Sequence, residues 1–397
     1  MVMAVATSMF IIIVPFLLLG LHSTEAQIGV CYGTKGDNLP SAEDVVSLYE
    51  NNGISAMRLY EPNEPILKAL QGTDIKLMLG VPNEDIQCIA TDQPTADDWV
   101  QTYVVPYATT IKYIAVGNEI HPSDPEASCV EPAMQNILSA LNSNDLGGQI
   151  KVSTAIDMSL IKNSFPPSEA KFKNLTYITP ILDCLTNNET PLLVNIQTYI
   201  AYINNPNNIT LDYALFKSQG AMVFNDKGKQ YNNLYDAMYD AVYVAIGKVV
   251  TPRQKGNNSI FDGIKVNKKK PLPPADSESG WSSSDGNVGF AAMLQTKGGG
   301  KNGQPGKMQP RGPKQGLPPP PSKGGNVATP ENAKTFYTNL IKHIKEGKGT
   351  PLNPGLKIET YLFAMFDEDQ KPGNETERHY GLFNPDDEQP KYGQLDF

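Results

Sequence analysis

Three clusters of polar residues in this sequence carry the groups needed for acid–base chemistry, and two of them directly follow apolar runs. The first ends the run IAVGNE at Asn118 and Glu119, the second places Glu278 in the segment SESGW, and the third places Glu368 and Lys371 after the run FAMF. Hydrolysis of a glycosidic bond uses two such glutamates, because one carboxylic acid protonates the leaving oxygen while the other carboxylate attacks or activates water. The clusters are therefore consistent with a glycoside hydrolase.

The same residues permit a simpler interpretation. A single Glu at a strand end is usually a solvated carboxylate or part of a structural ion pair, and spacing alone does not choose a glycosidase over another acid–base enzyme. Metal and cofactor chemistry are not indicated, since the sequence has no C-x-x-C, H-E-x-x-H, G-x-G-x-x-G or P-loop pattern and its four His residues are isolated. We expect neither a metal nor a cofactor.

Groups at strand ends can meet only if the strands are parallel, and the hydrophobic pattern predicts such a sheet. From Gln27 onward, short apolar runs alternate with amphipathic segments, which is typical of strand and crossover-helix units. The predicted strands are Ile28–Tyr32, Ala56–Tyr60, Ile75–Leu79, Tyr113–Val116, Lys151–Ala155, Leu192–Ile196, Ala221–Phe224 and Thr360–Phe366. The predicted helices include Ser41–Asn51, Ala96–Thr110, Glu131–Leu141, Leu234–Val249 and Pro330–Lys345, the last with Thr329 as N-cap. This pattern predicts an α/β fold, a single-domain (β/α)8 TIM barrel over residues 27–397 whose reacting groups stand at the carboxyl ends of the strands.

The net charge of the chain indicates which class of binding partner to expect. The chain has 33 Lys and Arg against 42 Asp and Glu, a net charge of −9, whereas nucleic-acid-binding proteins usually carry a basic excess. We expect no nucleic-acid partner, and we expect a monomer.

Residues 1–26 are predicted to be a secretory signal peptide. Phe10–Leu21 is apolar but too short to span a bilayer, and Thr24-Glu25-Ala26 after it has small residues where a signal peptidase cleaves. The segment before it lacks Lys and Arg, so an uncleaved anchor stays as an alternative. Passage through the secretory pathway also fits five glycosylation sequons, at Asn174, Asn188, Asn208, Asn257 and Asn374. We expect an extracellular, cell-wall or vacuolar protein with no membrane association after cleavage.

The four cysteines leave two possibilities open. Cys31, Cys88, Cys129 and Cys184 allow two disulfides in three pairings in an oxidising compartment. Cys31 lies in an apolar run, however, so a buried free thiol is an equal alternative.

Two stretches depart from the barrel pattern. Residues 250–276 are atypical because they are basic and rich in proline. A second stretch, about residues 287–328, is a low-complexity insertion rich in Gly and Pro. Such a composition buries too little apolar surface to offset the entropy of ordering, so we expect a disordered loop in the second stretch. An alternative explanation for both stretches is a faulty gene model in which non-coding sequence has been retained.

Seven motifs in order resemble those of plant glucan endo-1,3-beta-glucosidases, family 17 of the glycoside hydrolases. They are IGVCYG at 28–33, MRLYEPN at 57–63, YIAVGNEI at 113–120, KVSTAID at 151–157, SESGW at 277–281, ETYLFAMFDEDQKPG at 359–373 and HYGLFNPD at 379–386. The resemblance implies a (β/α)8 barrel that cleaves internal 1,3-beta-glucosyl linkages with retention. It also implies 1,3-beta-glucan as the substrate.

The resemblance assigns roles to individual residues. Glu119 corresponds to the general acid/base and Glu278 to the nucleophile, which for a retaining enzyme predicts carboxyl groups about 5 to 5.5 Å apart. The expected supporting charges are Glu368, Lys371 and Glu377. The expected cleft residues, for sugar stacking and hydroxyl contacts, are Tyr32, Tyr60, Asn118, Tyr199, Trp281 and Phe366, with barrel packing as the alternative for the aromatic ones.

Departures from the family pattern lie next to Glu278. Pro271, Pro273 and Pro274 precede it where the family has a smooth strand, and prolines cannot donate ladder hydrogen bonds, so this central strand is predicted to be broken or displaced. Ser282 stands where the family has a proline after Trp281, and Gln197 stands where the family has an aromatic residue expected in the cleft. The main hypothesis is a secreted endo-1,3-beta-glucanase, and the alternative is a catalytically impaired glucan-binding protein on the same barrel.

Overall fold

The structure is a computed structural model that describes residues 27–218, 224–251, 271–284 and 327–397. The predicted signal peptide lies outside the described residues, as do 252–270 and 285–326, which hold most of the two atypical stretches. Within the described residues no helix is long and apolar enough to cross a membrane.

Eight parallel strands close into a barrel, which confirms the predicted (β/α)8 fold. They are β1 (Ile28–Tyr32), β2 (Ala56–Leu59), β3 (Lys76–Val81), β4 (Ile111–Asn118), β5 (Lys151–Asp157), β6 (Leu193–Asn195), β7 (Ala275–Ser279) and β8 (Thr360–Leu362). Each strand pairs with its neighbours in chain order, and β8 pairs with β1 to close the ring. The carboxyl ends of all eight strands therefore face one mouth.

Helices of the described chain surround this barrel. They are α1 (Ala42–Asn51), α2 (Glu64–Ala69), α3 (Ile86–Thr91), α4 (Gln93–Tyr103), α5 (Val130–Ser143), α6 (Leu175–Asn187), α7 (Thr198–Asn204), α8 (Leu211–Ala214), α9 (Leu234–Val250) and α10 (Pro330–Glu346). The predicted N-cap of α10 is confirmed, since the side chain of Thr329 accepts a hydrogen bond from the backbone N–H of Asn332. The predicted helix Ala96–Thr110 is too long, because Pro106 lacks the N–H needed to continue α4 and the chain makes a short 3₁₀ turn there instead.

The seventh barrel strand is not the predicted one. Ala221–Phe224 lies mostly outside the described residues, and Phe224–Asp226 pairs antiparallel with Lys229–Tyr231 in a hairpin apart from the barrel. The barrel position is taken by Ala275–Ser279, which pairs in parallel with β6 on one side and β8 on the other. A sequence reading based on apolar runs misses this strand because Ala-Asp-Ser-Glu-Ser is mostly polar, although every residue of it is buried.

The predicted break before Glu278 is also wrong. The prolines lie just before β7, and the ladder begins at the next residue, where the N–H of Ala275 donates to the carbonyl oxygen of Leu192 at 3.0 Å. Asp276 N–H donates to Glu359 on the other side at 3.0 Å. Prolines at this point need no ladder partner, so they lead into the strand without interrupting it.

The cysteines carry free thiols. Cys31 and Cys184 are buried, Cys88 is exposed and Cys129 is partly exposed, and none of the four forms a disulfide in the structure. Burial raises the pKa of the Cys31 thiol to about 12. Of the two possibilities for Cys31, the structure has the buried free thiol.

Candidate active site

A cleft of about 520 Å³ opens at the carboxyl ends of the barrel strands. The predicted site residues that line it are Tyr32, Tyr60, Asn118, Glu119, Glu278, Glu368, Lys371 and Glu377. The structure thus brings together both predicted catalytic glutamates, the charged residues predicted to support them and part of the predicted sugar-binding set.

One amide nitrogen contacts both glutamates. Nδ2 of Asn195, at the end of β6, donates to Oε1 of Glu119 at 2.9 Å and lies 3.3 Å from Oε2 of Glu278. These two oxygens therefore lie no farther apart than 6.2 Å, the sum of the two distances. Contact of both carboxyl groups with one amide nitrogen fits the roughly 5 to 5.5 Å between the carboxyl groups of retaining glycosidases better than the roughly 6.5–9.5 Å of inverting ones.

Glu119 is positioned by a sharp turn of the backbone where β4 ends. Gly117 has φ of 75° and Glu119 has φ of 55°, both in the left-handed region. For a residue with a Cβ this conformation costs about 1–2 kcal/mol. The backbone N–H of Glu119 donates to the carbonyl oxygen of Ala155 in β5 at 2.9 Å, which holds the turn in place. Strain of this kind is typical of residues that a functional site must aim.

The surroundings of Glu119 favour its protonated form. The pKa of its carboxyl is raised from 4.5 to about 7, chiefly by burial and then by the negative charges of Glu278 and Asp157, against the opposing effects of Asn195 and Arg58. A carboxylic acid that is still protonated near neutral pH is suited to general acid catalysis.

Glu278 is surrounded by hydrogen-bond donors. Its Oε2 accepts from the Tyr60 hydroxyl at 2.7 Å and lies 3.4 Å from a guanidinium nitrogen of Arg58. Its Oε1 accepts from Nε2 of Gln197 at 2.8 Å. Donors and a positive charge stabilise the ionised carboxylate, so Glu278 differs in environment from Glu119.

Sequence reasoning missed Arg58, Asn195 and the contact made by Gln197. Arg58 is 1% exposed and donates to the side chain of Asn118 at 2.7 Å and to that of Asn195 at 3.0 Å. A charged residue inside the apolar strand β2 and an Asn at the end of β6 are the signals that point to them. The sequence indicates Gln197 only as the loss of an aromatic residue of the family.

The third cluster forms a charged network at one side of the cleft. Lys371 lies 3.9 Å from Glu368 and 3.5 Å from Glu377, and its ammonium sits 4.0 Å from the ring centroid of Phe363. Burial raises the pKa of Glu368, and Lys371 opposes that effect. The backbone of Gly33 packs so closely on Glu368 that a Cβ at position 33 would lie 2.1 Å from its carboxylate oxygen.

The predicted aromatic residues divide into two groups. Tyr32 and Tyr60 line the cleft. Trp281 is fully buried and packs against Tyr199, Tyr202 and Phe336, while its indole N–H donates to the carbonyl oxygen of Val327 at 3.0 Å. Phe366 is also buried, with its ring edge-on to Tyr32. The structure therefore places Tyr199, Trp281 and Phe366 in the packed interior, as the packing alternative expects.

The described residues contain no group of three or more His, Cys, Asp or Glu side chains arranged to hold a metal ion. What the cleft does offer is one carboxyl with a raised pKa, that of Glu119, and a second carboxyl, that of Glu278, with hydrogen-bond donors around it. This arrangement is suited to double displacement at a sugar carbon.

Comparisons with known proteins agree with the geometry. A glucan endo-1,3-beta-glucosidase of Vitis vinifera is 42% identical over 386 residues, which cover 95% of this chain and 94% of that protein. Glucan endo-1,3-beta-glucosidase B of Solanum lycopersicum is also 42% identical and covers 98% of this chain and 93% of its own length. The solved structure of CJP38, a beta-1,3-glucanase and allergen of Cryptomeria japonica pollen, superposes with a TM-score of 0.75 at 36% identity, over 94% of this chain and 99% of that chain.

The match to the family itself is in two parts. The model of glycosyl hydrolases family 17 matches residues 28–256 and 320–397 and leaves out 257–319, which contain Glu278. The structure places Glu278 in the site although the family match omits it. Strand β7 brings Glu278 to the amide of Asn195, which Glu119 also contacts. By sequence over most of its length and by structure, the chain belongs to glycosyl hydrolases family 17.

Proposed function

We propose that this protein is an endo-acting hydrolase of internal 1,3-beta-D-glucosidic linkages in 1,3-beta-glucans that works with retention of configuration. The proposal rests mainly on one observation. The side-chain amide of Asn195 contacts both Glu119 and Glu278, two glutamates whose surroundings differ. The names of its relatives support the linkage, since those at about 40% identity over nearly the whole chain are glucan endo-1,3-beta-glucosidases.

In the first step Glu119 acts as the general acid. Its raised pKa keeps the carboxyl protonated below about pH 7, so it can protonate the glycosidic oxygen as the bond to the anomeric carbon breaks. Glu278, ionised and surrounded by Tyr60, Arg58 and Gln197, attacks that carbon and forms a glycosyl-enzyme. In the second step Glu119, now a carboxylate, takes a proton from water, which attacks the same carbon and releases Glu278.

The alternative of an impaired glucan-binding protein depends on a broken strand before Glu278. Because β7 is paired on both sides and Glu278 reaches the same amide as Glu119, that reason no longer holds. The enzyme is thus favoured.

Secretion and a monomeric state belong to the proposal. The predicted signal peptide at 1–26 supports secretion, to the extracellular space, the cell wall or the vacuole. The exposed positions of Asn174, Asn188 and Asn208 also support it, because a glycan needs an accessible asparagine. Size-exclusion chromatography with light scattering tests the monomer.

The test is release of reducing sugar from a linear 1,3-beta-glucan by the purified protein, with a 1,4-beta-glucan as the comparison substrate. We expect turnover of the first only, a β-configured initial product by NMR, and loss of turnover with retained glucan binding in Glu278→Gln. Glu50→Gln, an exposed residue of α1, is the matched control and should behave as the wild type. A folded, glucan-binding wild type that releases no sugar would overturn the proposal.

A further inference from the structure

The two carboxylate oxygens of Glu278 have different surroundings. Oε2 has three donors within 3.4 Å, from Tyr60, Asn195 and Arg58. In the part of the chain that the structure describes, Oε1 has one, Nε2 of Gln197 at 2.8 Å. The oxygen with fewer donors keeps a lone pair available for attack, so Oε1 is the better nucleophile of the two.

The orientation of the Gln197 amide is determined by Glu278. A carboxylate only accepts hydrogen bonds, so the amide must turn its nitrogen toward Oε1 and its oxygen away. That oxygen is buried and has no hydrogen-bond partner within the described chain. An unpaired buried acceptor is destabilising, and the amide therefore serves the contact with Glu278 at the expense of stability.

The backbone holds Gln197 in register with this contact. The N–H of Ile196 donates to the carbonyl oxygen of Glu278 at 2.8 Å, and the hydroxyl of Ser279 donates to the carbonyl oxygen of Ile196 at 2.7 Å. Gln197 follows directly, so its side chain is anchored to the same strand that carries Glu278.

We propose that Gln197 is a further catalytic residue, whose amide N–H orients Oε1 of Glu278 as the oxygen that bonds to the anomeric carbon and stabilises that oxygen when it leaves. This inference rests on the proposed retaining function. In the first step an Oε1 lone pair forms the bond to carbon while the pair of the broken glycosidic bond goes to the leaving oxygen, which takes the proton of Glu119. In the second step water gives a proton to the Glu119 carboxylate and forms the new bond to carbon, and the electron pair of the Oε1–carbon bond returns to Oε1 next to the Gln197 N–H.

The two steps depend differently on this N–H. In the first step its loss removes orientation but also frees the attacking lone pair, so the effects partly cancel. In the second step negative charge develops on Oε1 with no compensating gain, and loss of a donor to a charged group slows such a step about 10- to 100-fold. Replacing Gln197 should therefore make hydrolysis of the glycosyl-enzyme the slow step.

The experiment compares the wild type with Gln197→Met and Gln197→Leu on an aryl 1,3-beta-laminaribioside that carries a good leaving group. We expect a burst of released aryl alcohol in both variants, a fall in kcat together with a fall in KM, and a glycosyl-enzyme that intact-protein mass spectrometry detects at steady state. Their thermal midpoints should stay close to that of the wild type, because removal of the unpaired carbonyl offsets the loss of the Gln197 donor to Oε1 of Glu278.

Thr198→Val is the matched control. Thr198 is the next residue and also has a buried side-chain oxygen without a hydrogen-bond partner in the described chain, so it does not bind Glu278. It should gain stability without a burst. If the Gln197 variants lose kcat with an unchanged or raised KM and no trapped intermediate, the inference is wrong while the proposed function stands. If the wild type fails to turn over glucan or inverts configuration, the proposed function itself fails.

Discussion

Arg58 donates to the amide oxygen of Asn195 at 3.0 Å, and this contact determines which way the amide faces. The hydroxyl of Ser277 donates to the same oxygen at 2.8 Å. With its oxygen occupied by two donors, the amide directs its nitrogen to Glu119 and Glu278, which only accept. Arg58 is buried and acts on Glu119 through the Asn195 amide. It thus helps to set the geometry of both carboxyl groups.

Asn195→Asp should remove that function with almost no change in volume. The new carboxylate can accept from Arg58 but cannot donate to Glu119 or Glu278, and its charge adds to theirs. Since the Asn195 hydrogen bond lowers the pKa of Glu119, its loss raises that pKa, and the alkaline limb of kcat/KM should move to higher pH. We expect kcat to fall about 100-fold or more, measured as reducing-sugar release across pH.

Asn136→Asp is the control for this substitution. Asn136 donates to the carbonyl oxygens of Ile89 and Ala90, which lie away from the cleft. It should lose stability but keep the pH profile of the wild type. An unchanged pH profile in Asn195→Asp would show that the amide does not couple the two glutamates.

The raised pKa of Glu119 predicts how both activity and stability depend on pH. Activity should fall above about pH 7 as the acid ionises. In the folded state this carboxyl holds its proton from its ordinary pKa of 4.5 up to about 7, so the wild type loses stability as the pH rises through that window and regains none above it. The full loss is on the order of 3 kcal/mol at most.

Glu119→Gln should therefore be increasingly more stable than the wild type as the pH rises from about 4.5 to about 7. Thermal melts at several pH values measure the difference, with Glu50→Gln, at an exposed position of α1, as the surface control. A pH-independent difference for Glu119→Gln would mean that Glu119 ionises in the folded protein as it does in the unfolded chain.

Gly33→Ala should disturb the cleft through a direct clash. A Cβ there would lie 2.1 Å from the carboxylate oxygen of Glu368, and that carboxylate is held by the backbone N–H of Lys35 at 3.1 Å and by Lys371. We expect Glu368 to move and turnover to fall about 10-fold or more. Gly148→Ala is the control, since Gly148 has no atom within 4 Å of an added Cβ, and it should be neutral or slightly stabilising. Equal activity of the two variants would contradict a positioning role for Glu368.

Most of the barrel and the position of Glu119 are predictable from local patterns in the sequence, whereas Glu278 is identified by the SESGW motif. Apolar runs mark seven of the strands, and Glu119 directly follows one of them. The exception is β7, whose buried polar side chains are satisfied by residues distant in sequence. Asp276, for example, accepts from Tyr235 at 3.0 Å and from Ser279 at 2.8 Å.

Contacts between strands account for the rest of what the sequence did not predict. Arg58, Asn195 and Gln197 acquire their partners only when closure of the barrel brings β2, β6 and β7 to one mouth. The buried position of Trp281 has the same origin, since its ring packs on α7 and α10. Motif letters alone do not separate a cleft aromatic from a packed one.

Hydrogen bonds hold the chain on both sides of residues 285–326, which lie between β7 and α10. The indole N–H of Trp281 donates to the carbonyl oxygen of Val327 at 3.0 Å. The described residues on the two sides of 285–326 are therefore in contact there. Ser283 is held separately, through its backbone N–H to the carbonyl oxygen of His379 at 2.9 Å. Replacing residues 287–326 by a Gly-Ser linker of about six residues, which spans up to about 20 Å, should leave the barrel intact.

We expect this deletion variant to keep its glucan turnover within about threefold and its thermal midpoint within about 2 °C of the full chain. Combining the deletion with Trp281→Phe removes the indole N–H and should lower the midpoint, because Val327 then loses a donor that links it to β7. A folded deletion variant that binds glucan but has lost turnover would mean that residues 287–326 contribute directly to the cleft. Unchanged turnover would place the whole reaction on the barrel, with Glu119 and Glu278 positioned by strands that need nothing from that segment.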